Sequence, residues 1–162
     1  MLAYRLAKYL PKLVHSDQKG FVKGRRLHDH VIFMQDIQYF CTSNNIEGYA
    51  TFLDFSKAYD MVQWEYLFQV LEAVNIGPKF ITWIMLLYTK PIIKLIINGH
   101  LSEPIYPNRG VKQGDPMSSL LFVLTLEPLG ELIRHHDEHG IPLPGDYTCT
   151  SLYFADDSTI IS

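Results

Sequence analysis

Leu2, Leu6, Leu10 and Leu13 recur at helical spacing, so the chain opens on a short amphipathic helix that Pro11 is expected to end early. Gly20 and Gly24 bracket a basic turn. Leu27, Val31, Met34 and Cys41 predict a second helix over about 27–41, closed by the polar cluster Thr42-Ser43-Asn44-Asn45. Tyr49-Ala50-Thr51-Phe52-Leu53 is rich in β-formers and predicts a buried strand ending at Asp54. Asp60 is placed to cap a helix with Trp64, Leu67, Phe68 and Leu71 on one face, and Gly77-Pro78 separates it from the next, about 79–89.

A hairpin follows, because Ile92–Ile97 and Leu101–Ile105 flank Asn98-Gly99, a strong type I′ turn signal. After a glycine-containing loop at 110–114 the pattern predicts a long apolar helix over about 117–136. Gly140, Pro142, Pro144 and Gly145 read as a link, and Ser151–Phe154 and Ser158–Ile161 read as the last two strands. The sum is an α+β domain of antiparallel strands with helices packed on one side.

The composition fits one domain: 162 residues, 48% hydrophobic and 13% aromatic, suffice for a core. Apolar runs such as Pro91–Ile97 and Leu120–Leu126 fall far short of the roughly 20 residues of a spanning helix, so no membrane is expected. Cys41 and Cys149 have no C-x-x-C spacing, which predicts neither disulfide framework nor zinc finger and fits a reducing compartment. The first residues lack the apolar run of a signal peptide, so an intracellular site, nucleus or cytoplasm, is expected. Net charge is −3, yet residues 1–30 hold Arg5, Lys8, Lys12, Lys19, Lys23, Arg25 and Arg26 against only Asp17 and Asp29. A basic end beside an acidic centre suits a metal-using enzyme acting on polyphosphates.

The stretch Tyr153-Phe154-Ala155-Asp156-Asp157 places two carboxylates side by side between strands. By itself it reads as a polar turn. The strand ending at Asp54 changes that reading: if it neighbours the last two strands, three carboxylates converge and repel one another unless divalent cations lie among them. Two such cations about 4 Å apart serve in-line displacement at phosphorus. Mg²⁺ suits hard carboxylate oxygens best, with Mn²⁺ as the alternative. His135, Glu138 and His139 match H-x-x-E-H, a zinc-hydrolase pattern, but they sit in the last turn of a helix, where histidine is favoured by the helix dipole.

Four segments in register, "GFVKGR" (20–25), "FLDFSKAYD" (52–60), "RGVKQGDPMSSLLF" (109–122) and "YFADD" (153–157), resemble the reverse transcriptases of non-LTR (LINE-like) retrotransposons. The resemblance implies a palm-type antiparallel sheet with helices on one face over residues 47–162, preceded by a partial fingers segment over 1–46. It implies that Asp54, Asp156 and Asp157 are catalytic and that two Mg²⁺ ions lie among them and Phe55. Phe55, Ala58, Tyr59, Gln113 and Gly114 would line the nucleotide pocket, with Tyr59 excluding a 2′-hydroxyl. Lys23 and Arg25 would meet nucleic acid, and the partners would be an RNA template, a DNA primer and dNTP.

Each position also has a plainer reading. Tyr59 could be core, Gln113–Pro116 a turn opening the next helix, and Lys23 and Arg25 a solvated basic face. The family pattern has proline where Ser119 stands. It also has a fingers segment upstream and a thumb downstream that this chain lacks, so the chain reads as truncated at both ends, one piece of a longer polyprotein. Two functions follow: a polymerase core active only within a longer chain, or an inert palm remnant that at most binds nucleic acid or a partner.

Overall fold

A computed structural model describes residues 1–136 and 139–162. Six helices and seven short strands occur among these residues.

The larger core forms where α6 (Ser118–Arg134) meets α1 (Leu2–Leu13) and α4 (Trp64–Ala73), with α5 (Pro78–Leu87) packed on α4. Leu10, Leu67, Leu71, Ile84, Leu121 and Leu124 are fully buried there. Each such side chain stabilises the fold by roughly 1.5–3 kcal/mol relative to exposure. Pro11 does not end α1 early. The helix runs to Leu13, and Val14 N–H still reaches Leu10 O at 3.1 Å, because Leu6 and Leu10 anchor it in this core. Asp60 is not the cap of α4 either. It lies inside the short helix α3 (Ala58–Met61), and Gln63 occupies the residue before α4.

The second helix, α2 (Leu27–Asn44), outruns its expected end by about one turn and closes on Asn45 at φ 55, a left-handed position that asparagine tolerates. It covers a smaller core of Ile37, Ile141, Cys149, Leu152 and Ile161.

Three strands, β1 (Ala50–Asp54), β6 (Ser151–Phe154) and β7 (Asp157–Ile161), form one antiparallel sheet in the order β1-β7-β6. The α+β expectation therefore holds. The expected burial of β1 does not: all five residues are exposed, since β1 is an edge strand and no element among the described residues covers Phe52. The hairpin of β2 (Ile96–Ile97) and β3 (His100–Leu101) turns on Asn98 and Gly99 at φ 52 and 83, the two positive angles a type I′ turn requires. The expected link at 140–145 is instead a second hairpin, β4 (Ile141–Leu143) with β5 (Tyr147–Cys149). Its Gly145 and Asp146 both take positive φ, so one of the glycines that suggested a link helps make the turn. No helix among the described residues is long and apolar enough to cross a membrane.

Candidate active site

The sheet register answers the question raised by the carboxylates. Asp54 at the end of β1 stands opposite Asp157 at the start of β7, and Phe154 stands opposite Asp157 from β6. Paired residues of an antiparallel ladder share a face with their Cβ atoms about 5 Å apart. Asp156 lies in the two-residue turn with Ala155, immediately before Asp157. All three acids thus meet at one end of the sheet, with Asp54 and Asp157 exposed and Asp156 half-buried.

Among the described residues, no ion pair neutralises these carboxylates, and no three His, Cys, Asp or Glu side chains close round a common point that could hold a metal. Like charges directly opposite one another repel, so splayed side chains are the expected arrangement without a counter-ion. The donors themselves suit Mg²⁺ or Mn²⁺: hard, anionic and free of competing side-chain cations. Phe55, half-buried, can offer an ion only its main-chain carbonyl.

Next to this end, α3 and the 109–114 loop are tied together. Gly110 N–H donates to Val62 O at 2.7 Å, Val111 N–H to Tyr59 O at 2.8 Å, and the Trp64 indole to Gly110 O at 2.8 Å. Gly110 is required here: at φ 93, a Cβ would lie 3.2 Å from the Asp60 backbone. The Tyr59 ring stacks on Phe122 at 4.7 Å and 15° between planes, which fixes it half-buried at the edge of the larger core. Phe55 and Ala58 line a cleft with Tyr66 and Phe122. Gln113 and Gly114 are exposed, and the Asp115 carboxylate accepts the Met117 N–H at 2.8 Å, so the loop also opens α6 as its plainer reading expects.

Lys23 is exposed. Arg25, expected to meet nucleic acid, has its guanidinium engaged by the chain itself. It donates to Gln18 O at 2.8 Å, Pro11 O at 3.0 Å, Val14 O at 3.1 Å and His15 O. Those include carbonyls left open at the end of α1, where a cation is favoured by the helix dipole. Burial lowers its pKa against the pull of Glu127 and Asp17. The H-x-x-E-H match runs through Glu138 and so lies outside the described residues. His135 itself, just past α6, sits 3.6 Å from the Glu131 carboxylate. Both cysteines are free, and burial, then Asp17, pushes the Cys149 thiol up to about 12, which makes it inert.

Sequence reasoning missed the segment that supports the turn. Residues 17–19 run beside β6: Tyr153 N–H donates to Asp17 O at 3.0 Å and Lys19 N–H to Tyr153 O at 2.8 Å. Asp17 is only 6% exposed. Its carboxylate lies 2.8 Å from His15 Nδ1 and 3.6 Å from Arg134, which in turn meets Glu127 at 2.6 Å and Glu131 at 2.9 Å. Burial works against the Arg134 charge, but Glu131, Glu127 and Asp17 outweigh it and hold its pKa above the ordinary value. The only sequence signal was adjacency to "GFVKGR", because a lone Asp-Gln pair has no periodicity to read.

The family described as "Reverse transcriptase (RNA-dependent DNA polymerase)" matches residues 1–162. The chain is 30% identical over 161 residues to "Transposon TX1 uncharacterized 149 kDa protein" of Xenopus laevis, covering 99% of this chain and 12% of that protein. It is 33% identical over 110 residues to the "Retrovirus-related Pol polyprotein from type-1 retrotransposable element R2" of Popillia japonica, 67% of this chain and 18% of the relative. The corresponding type-2 element R2DM polyprotein of Drosophila melanogaster gives 32% over 145 residues, 90% and 13%. The chain therefore spans less than a fifth of the length of these relatives.

Proposed function

The chain belongs to the reverse transcriptase family, and on that premise we propose that it forms the catalytic core of an RNA-directed DNA polymerase from a non-LTR retrotransposon. It adds dNTPs to the 3′-hydroxyl of a DNA primer on an RNA template. Residues 47–162 act as the palm and 1–46 as part of the fingers, with the remaining grips supplied by a longer polyprotein. The observation that carries this reading is the register of Asp54 against Asp157, with Asp156 in the adjoining turn.

Asp54, Asp156, Asp157 and the carbonyl of Phe55 would hold two Mg²⁺ ions, or Mn²⁺ in their place. Ions held there would supply charge neutralisation to a reacting phosphate and to the attacking and leaving oxygens. The protein's own part is positioning. Tyr59, immobilised on Phe122, gives the incoming sugar a rigid wall that a 2′-hydroxyl would strike. Gln113 and Gly114 sit on a loop pinned to α3 at Val111, so an exposed backbone with glycine at φ 82 can approach the nascent base pair closely. Ala58 keeps the pocket floor small. Lys23 is an exposed cation that can meet a phosphate, and the work is done inside the cell, in nucleus or cytoplasm.

Primer extension on poly(rA)/oligo(dT) with labelled dTTP and Mg²⁺ or Mn²⁺ tests this in a longer polypeptide that contains the chain. Asp156→Ala should lower incorporation by about 10³-fold, the scale of losing a principal charge-stabilising group. Incorporation at the parental rate would refute the assignment.

A further inference from the structure

Gln18 is 3% exposed, and its side-chain oxygen has two partners: Gly20 N–H at 2.7 Å and Ala155 N–H at 3.0 Å. Ala155 is the first residue of the turn that carries Asp156, and it is held at φ 56, a left-handed conformation that a residue with a Cβ adopts only under constraint. The constraint is visible on both sides. Gln18 pairs as a parallel bridge with Tyr153, and Gly20 lies so close to the turn that a Cβ there would stand 2.3 Å from Ala155 N and 3.0 Å from its Cα.

We propose that Gln18 is a positioning residue for the catalytic turn: its side-chain oxygen holds the Ala155 N–H, and through it sets where the Asp156 and Asp157 carboxylates stand relative to Asp54. Gly20 completes the support by letting the backbone seat against the turn. The proposal rests on the polymerase reading of those carboxylates. It asks two things of position 18: an acceptor oxygen, and a side chain long enough to reach both N–H groups. Glutamate meets both. Methionine has the length without the acceptor, and asparagine has the acceptor one methylene short.

The test uses the full-length polypeptide with Gln18→Met, Gln18→Glu and Asp156→Asn. At saturating primer-template, Gln18→Met should lower kcat by about 10–100-fold, the usual cost of removing a group that orients a metal ligand. KM for dNTP should stay within about threefold, since nothing that touches the nucleotide has changed. Gln18→Glu should stay within about fivefold of the parent, because a carboxyl oxygen accepts the same bonds.

A second reading needs no catalysis. Amide hydrogen exchange over residues 153–158 should quicken in Gln18→Met and not in Gln18→Glu, while α6 keeps its protection. Should Gln18→Met also lose protection in α6, Gln18→Asn takes its place. Parental kcat and parental exchange in Gln18→Met, with Asp156→Asn inactive, would overturn the positioning role alone. An active Asp156→Asn would instead overturn the polymerase assignment of that carboxylate, and the exchange result would still decide whether Gln18 holds the turn.

Discussion

The two faces of the three-stranded sheet differ sharply. On one, Ser151, Tyr153 and Ser158 are buried, with Tyr153 close against Gly130 of α6. On the other, Phe52 stands 74% exposed two register pairs from Asp54 and Asp157, while Leu152 and Ile161 pack in the small core that α2 covers. The closed face supplies rigidity and the open end supplies access. The proposed polymerase site would need both, because carboxylates that meet a substrate must be held still by groups that do not.

The contrast makes the stability effects unequal. Leu124→Ala, in the core beneath the closed face, should cost about 2–5 kcal/mol in denaturant unfolding, since a fully buried leucine leaves a cavity. Arg25→Met should cost less, about 1–3 kcal/mol, by releasing four carbonyls that one charged group now satisfies. It should leave binding of short single strands unchanged in a salt titration, whereas a guanidinium that touches phosphate would reduce the salt slope by about one. Asp54→Asn, at the open end, should be the smallest and of opposite sign, stabilising by about 0.2–1 kcal/mol as the charge facing Asp157 disappears. That gain should shrink with added salt, and primer extension should fall. A large loss of stability in Asp54→Asn would mean the open end is a structural element after all.

How far the sequence reveals this division depends on the kind of signal. Asn98-Gly99 states its turn locally, because both residues tolerate positive φ, and the apolar run of α6 states its own burial. The strands around Asp156 were legible for the same reason. Their meeting with Asp54 could only be posed as a condition, since pairing across about 100 residues leaves no local trace. Gly140–Gly145 misled because glycine and proline mark a hairpin turn as readily as a link. Edge position exposed β1 although its residues are strong β-formers, because propensity says nothing about what covers a strand. Arg25 was placed by its neighbours in "GFVKGR", but its guanidinium folds back on α1. Gln18 left no signal beyond its place beside "GFVKGR", because its bond to Ala155 forms only once residues 17–19 lie beside β6.

The end of the sheet at Asp54, Asp156 and Asp157 is proposed to gather a divalent cation, and titration with Mn²⁺ reads this out as paramagnetic broadening of the chain's amide resonances. Broadening should centre on residues 53–55 and 154–158, and Asp156→Asn should weaken it markedly while leaving the β4–β5 hairpin untouched. Broadening centred elsewhere, at the histidines after α6 for instance, or unchanged by Asp156→Asn, would contradict the account.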